Sequence, residues 1–251
     1  MRGPFPPAVG IDVVDLDDPR CAGRAVGGRF VERVLAPAEA AFLADAADPA
    51  LALWVLWAAK EAAFKVVSGL AGRAPVFEHA AFVVTPESLP AEGGAPVPAR
   101  VSYGSLDLPV RVTLRQRCVA AWAWGPAGDD EGPPPDLHHE IELLDRIALG
   151  LGLGDMPLAE LRRARFSPEE ARAIHSRPSA LVRLAARRAA ARVLDRDEAE
   201  LMIVCAEGPA GRVPPRLLRA GDLLPAASVS LSHHGRWGAW ALRAGSGGSG
   251  G

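Results

Sequence analysis

The chain has 251 residues, 49% of them hydrophobic and 23% charged, which is enough to bury the core of one large domain or two small ones. That balance excludes a disordered or collagen-like protein, and the formal charge of −2 excludes a general electrostatic pull toward nucleic acid or anionic membrane. No apolar run reaches the ~18 residues of a membrane span, and Met1-Arg2-Gly3-Pro4-Phe5-Pro6-Pro7 lacks the apolar stretch of a secretory signal. Cys21, Cys118 and Cys205 lie too far apart for a disulfide framework or a zinc site built on adjacent thiols. The expectation is a cytoplasmic protein with reduced thiols and no membrane or nucleic-acid partner.

The first predicted element is an apolar strand, Val9-Gly10-Ile11-Asp12-Val13-Val14, interrupted by Asp12, an acid that is costly to bury unless paired or bound to a cation. Leu35-Ala36-Pro37-Ala38-Glu39 signals a helix start, with proline suited to the first turn and an acid favoured near the N-terminus. Ala58 to Val67 reads as an alanine-rich helix, and Val112-Thr113-Leu114-Arg115-Gln116 as a strand running on to Trp122. The Gly/Pro/acid stretch from Gly125 to Pro135 reads as a linker. Beyond it the same elements recur in order: the strand Ile141-Glu142-Leu143-Leu144-Asp145, the helix start Phe166-Ser167-Pro168-Glu169-Glu170, the helix Ala185 to Leu194, and the strand Val229-Ser230-Leu231-Ser232-His233, running on to Trp240. Gly245 to Gly251 reads as a flexible tail.

Four matches in one order predict an α+β chain of two duplicated subdomains packed as a pseudo-dimer about a pseudo-twofold axis. The boundaries are 1–124 for the first half, 125–137 for the linker, 138–244 for the second half and 245–251 for the tail. Where the halves differ, the difference is chemical: Asp12, Lys60, Glu61 and Lys65 stand against Glu142, Arg187, Arg188 and Arg192, and Ser232-His233 against Arg115-Gln116. A site using all these groups must lie between the halves.

Only two of the 28 Lys and Arg residues are lysines, Lys60 and Lys65, five apart in one helix. Either this is chance clustering in an arginine-biased sequence, or ammonium geometry is required there. Glu61 and Lys65, at i and i+4, share a face. On their own they fit an ordinary helix pair; joined to Asp12 they fit a Mg²⁺ site of hard oxygen ligands, Asp12 and Glu61, with Lys65 beside a phosphate. His233 fits either a structural histidine or an anion contact. Arg187, Arg188 and Arg192 fit either a solvated helix face or bidentate phosphate contacts, and the Gly211-Arg212 turn adds one more candidate.

Gly10-Ile11-Asp12, Trp57-Ala58-Ala59-Lys60-Glu61-Ala62-Ala63-Phe64-Lys65 and Ser232-His233 resemble the three signatures of the 4′-phosphopantetheinyl transferases. Arg33-Val34-Leu35-Ala36-Pro37-Ala38-Glu39 resembles the holo-acyl-carrier-protein synthase branch, and the resemblance spans about residues 8–124 and 139–243. It implies a monomeric pseudo-dimer that transfers 4′-phosphopantetheine from coenzyme A to a serine of an apo acyl, peptidyl or polyketide carrier protein, releasing 3′,5′-ADP. It further implies Mg²⁺ on Asp12 and Glu61, Glu61 as base, Lys65 on the transferring phosphate, and His233, Lys60, Arg187, Arg188 and Arg212 as contacts to the coenzyme. Two departures stand out. The metal-binding half comes first, where large members place it second, and Val14 occupies the position of a further acid, so that a water or Asp15 would complete the metal shell. The alternative function is a degenerate binding module for coenzyme A or a carrier.

Overall fold

In the computed structural model, residues 8–22, 28–72, 74–125, 132–205, 207–208 and 211–245 are described. Residues 126–131 of the expected linker and 246–251 of the expected tail lie outside them. The first half runs β1 (Val9–Asp15), α1 (Pro19–Ala22), α2 (Arg29–Val34), α3 (Pro37–Asp45), α4 (Pro49–Ala71), β2 (Val83–Pro86), β3 (Val97–Tyr103), β4 (Leu106–Arg115) and β5 (Cys118–Trp124). The second runs β6 (Leu137–Leu143), α5 (Leu144–Gly150), α6 (Leu158–Arg165), α7 (Pro168–Arg172), α8 (Arg177–Leu194), β7 (Leu201–Val204), β8 (Glu207–Gly208), β9 (Gly211–Arg212), β10 (Arg216–Arg219), β11 (Asp222–Leu223), β12 (Ala227–His234) and β13 (Trp237–Ala244). This is a mixed fold of helices and antiparallel sheets, and no described helix is long and apolar enough to cross a membrane.

Helix α4 is started by Asp48, whose side chain accepts from the Leu51 N–H at 2.9 Å, with Pro49 in the first turn, and it ends at Gly72 in the left-handed conformation, φ 66°. Its alanine face (Ala52, Ala58, Ala59, Ala62, Ala63) is buried against the five-stranded sheet β1-β5-β4-β3-β2. These small side chains let the backbones approach closely. A Cβ at Gly10 would lie 1.9 Å from the Ala62 carbonyl oxygen, so the glycine of Gly10-Ile11-Asp12 is the condition for seating β1 on α4. Helix α8 repeats the arrangement on β12 and β13: Ser176 caps it, and a Cβ at Gly238 would meet Val182 Cγ2 at 2.5 Å.

A buried glutamate anchors each half in the same way. Glu39, in the first turn of α3, accepts from the Ala36 N–H at 2.7 Å, from the Val84 N–H of β2 at 2.6 Å and from Lys60 Nζ at 2.6 Å. Glu170, in the first turn of α7, accepts from the Ser167 N–H at 3.1 Å, from the Ile203 N–H of β7 at 3.0 Å and from Arg187 Nη1 at 3.5 Å. Lys60 is fully buried, and its ammonium also donates to the Phe82 and His79 carbonyls. Burial holds the Lys60 pKa below its ordinary value while Glu39 opposes the shift.

Strand registers revise the sequence matching of the halves. Two-residue turns join β4 to β5 and β12 to β13, with Arg115 opposite Cys118 and His234 opposite Trp237. Counted from these turns, the counterpart of Asp12, opposite Ala121, is Glu140, opposite Trp240, and Glu142 is the counterpart of Val14. By the same count Ser232-His233 corresponds in position to Thr113-Leu114 rather than Arg115-Gln116. Trp122 packs between the halves and Trp240 in the second core, so they are not equivalent. The predicted strand 141–145 stops at Leu143, because Leu144 and Asp145 begin α5. Similarity of residue type carries no register; the hairpin turn sets it.

The halves meet through an apolar layer in which Ile11, Val13, Trp122 and Trp124 pack with Trp237, Ala239 and Ala241, and His139 stacks on Trp122 at 4.2 Å. Along its rim β12 supplies alternate side chains to β1: Ser228, Ser230 and Ser232 Oγ and His234 Nδ1 accept from the Val9, Ile11, Val13 and Asp15 N–H groups at 3.3, 3.0, 3.3 and 3.0 Å. Replacing Glu39 with alanine leaves the Lys60 ammonium buried without its carboxylate; the expected cost, read from urea unfolding, is ~3–5 kcal/mol.

Candidate functional site

Alternation along β1 turns Gly10, Asp12 and Val14 toward α4 and Val9, Ile11, Val13 and Asp15 toward the second half. Asp12 thereby meets the α4 face that carries Glu61 and Lys65. Its Oδ1 accepts from Lys65 Nζ at 2.8 Å and from Ser232 Oγ, across the seam, at 2.8 Å. Lys65 Nζ also donates to the Ile11 carbonyl at 2.6 Å and, more weakly, to the Leu231 carbonyl of the second half at 3.4 Å.

Asp12, Glu61, Ser232 and His233 line one cavity of about 330 Å³, rimmed by Arg20, Phe30, Trp54 and Trp57. Glu61 makes no hydrogen bond among the described residues. Burial, then the Asp12 charge, pushes its carboxyl up to about 7, with Lys65 opposing. Two carboxylates that repel each other in a partly dry cavity form a site a hard cation relieves, and two such ligands suit Mg²⁺, which keeps several of its waters. No group of three or more Asp, Glu, His or Cys converges as a metal cluster among the described residues. Asp15 is not a third ligand: its carboxylate lies on the opposite face of β1 and is held by Arg236 Nε and Nη2 at 3.1 and 3.2 Å.

His233 also lines a larger cavity of about 610 Å³ with Arg172, His175, Ser179, Arg183 and Cys205. Burial, then the Lys65 and His234 charges, holds the His233 pKa below its ordinary value. Arg183 is only 3% exposed. Its Nη1 donates to the Ile203 carbonyl at 2.6 Å, its Nε has no partner, and no carboxylate pairs with it among the described residues. Both Nη atoms also approach Cys205 Sγ, at 3.7 and 3.6 Å; a buried cation without a counter-charge costs several kcal/mol, and an anion in this cavity would offset that charge.

The expected coenzyme contacts divide. Asp12, Glu61 and His233 line one cavity, and Lys65 is engaged with Asp12 beside it. Lys60 does not reach the cavities; it is the buried partner of Glu39. Arg187 is held by Glu170, Glu198 and the Arg165 carbonyl, and Arg188 by Glu198 and the Gly150 carbonyl, so neither lines the His233 cavity. The Arg212 side chain lies outside the described residues. Arg172, His175 and Arg183 escaped the sequence reading, although Arg183 lies one turn before Arg187 on α8, and that i, i+4 spacing was its only signal.

The strand and helix that carry Asp12 and Glu61 lie in the part of the chain that is similar to a known family. The model of the 4′-phosphopantetheinyl transferase superfamily matches residues 8–107. That stretch contains Asp12, Glu61 and Lys65, while Ser232 and His233 lie beyond it. Seven chains of solved structures match; one is the crystal structure of holo-[acyl-carrier-protein] synthase from Neisseria meningitidis, similar over 48% of this chain and 98% of that one, at 16% identity and a TM-score of 0.36. No curated protein matches.

The thiols offer a check on the larger cavity. Cys205 lines it and is half-buried, whereas Cys21 and Cys118 are buried. Burial, then the Asp15 and Asp12 charges, pushes the Cys118 thiol well above its ordinary value. Iodoacetamide labelling of the native chain, mapped by peptide mass, is expected to modify Cys205 first and Cys118 last.

Proposed function

We propose that the chain is a Mg²⁺-dependent 4′-phosphopantetheinyl transferase, moving the phosphopantetheine arm of coenzyme A onto a serine of an apo acyl, peptidyl or polyketide carrier protein. It works as a monomeric pseudo-dimer, with 1–124 and 138–244 as duplicated subdomains joined by 125–137. The observation that carries the reading is the shared cavity, where Asp12 and Glu61 of one half face Ser232 and His233 of the other.

In this reading Asp12 and Glu61 hold Mg²⁺, which when bound supplies Lewis-acid charge to the coenzyme pyrophosphate. Glu61 takes the proton of the acceptor serine, whose oxygen bonds to the phosphorus nearer the pantetheine as the bond to 3′,5′-ADP breaks. Lys65 neutralises Asp12 and reaches both halves, lending positive charge beside the reacting phosphate. His233, with Arg172, His175 and Arg183 behind it, grips the remaining phosphates of the coenzyme, a role that replaces Lys60, Arg187 and Arg188. Trp54, Trp57 and Phe30, packed on one another, give the same cavity an aromatic wall.

Glu61→Gln is expected to lose ~10²–10⁴ in rate, followed as mass gain of an apo carrier protein, with the circular dichroism unchanged. Unchanged turnover would remove the assignment. His233→Ala is expected to raise the coenzyme A Kd in calorimetry at least ~10-fold, the loss of about one charge-assisted hydrogen bond, while leaving unfolding in urea unaltered.

A further inference from the structure

We infer that Ser232 is a positioning residue for the Asp12 carboxylate, so that the second half orients a ligand of the first half's cation site; this rests on the reading of Asp12 and Glu61 as that site. Ser232 is buried, and its hydroxyl has one proton and two acceptor lone pairs. The Val13 N–H donates to Ser232 Oγ at 3.3 Å, so that contact uses a lone pair. The proton goes to Asp12 Oδ1, at 2.8 Å. Ser228 and Ser230 accept from β1 in the same way, but among the described residues no such bond joins either of them to a carboxylate. Among the serines of this rim, Ser232 links the seam to the site carboxylate within the described residues.

The consequence is directional. Lys65 from α4 and Ser232 from β12 both load Oδ1, leaving Oδ2 without a hydrogen bond among the described residues. Two donors on one oxygen fix the carboxylate rotation and assign the other oxygen to a cation. With Ser232 removed, Lys65 alone holds Asp12, and the carboxylate turns about that single contact. Outer hydrogen bonds of this kind change metal affinity ~10–100-fold in other metal sites.

Mn²⁺ titration of the full-length chain, followed by electron paramagnetic resonance with saturating coenzyme A and no carrier protein, tests this without turnover. Ser232→Ala is expected to weaken Mn²⁺ binding ~10–100-fold. Ser232→Thr keeps the hydroxyl and the affinity. Ser232→Cys, nearly isosteric with a weak donor, falls between them and serves if the alanine variant does not fold. Ser230→Ala loses the equivalent bond to Ile11 and lowers stability, but leaves the affinity unchanged. Mn²⁺ uptake by the wild type that both Ser232→Ala and Ser232→Cys leave intact, or that Ser230→Ala weakens equally, overturns the positioning role alone. No Mn²⁺ uptake by the wild type overturns the cation site itself and the role with it.

Discussion

Strand β1 has one edge paired with β5 and another that would present a row of free N–H groups at the join between the halves. Each unmet donor there would cost about 1–3 kcal/mol, and an open edge invites pairing with another chain. The neighbouring strand covers this edge with side chains instead of its backbone. The offset between donor and acceptor is 219 residues at all four contacts, so β1 and β12 advance in the same direction and in step. Serine suits the task, because its oxygen is short enough to stand in for a carbonyl at each second residue. The arrangement brings Ser232 and His233 to Asp12, and every inter-half feature of the site depends on it.

The two lysines of α4 divide the work. Five residues of α-helix turn through about 140°, so Lys60 and Lys65 cannot share a face, whereas Glu61 and Lys65, four apart, do. Lys60 points into the first core, where its ammonium ties α4 to α3 and to the start of β2 through Glu39. Arg187 does the same for α8, less deeply buried and with Glu198 as a second partner. A lysine fits a fully enclosed pocket formed by one carboxylate and two carbonyls, while the planar guanidinium needs a more open one. The lysine pair therefore reflects two different demands for a compact cation.

The second half offers cations where the first offers carboxylates. Arg183, with no carboxylate partner among the described residues, lines with Arg172 and His175 a cavity that shares His233 with the carboxylate cavity. Positive charge thus stands on one side of the seam and a carboxylate pair on the other.

From the sequence alone, the helix starts at Pro37 and Pro168, the alanine-rich helices α4 and α8, the order of elements in each half and the shared face of Glu61 and Lys65 could be read, because each follows from local chemistry and period. Register could not. Asp12 matches Glu142 by type but Glu140 by pairing, since two hairpin turns far along the chain set the count. Nor could the partners of the cations: Lys60, Arg183, Arg187 and Arg188 look alike as charges on helices, and only packing decides which meets a buried glutamate, which meets a carbonyl and which faces a cavity. The link from Ser232 to Asp12 spans 220 residues, and it exists because two separately formed sheets meet at one register, a long-range fact that no window of sequence contains.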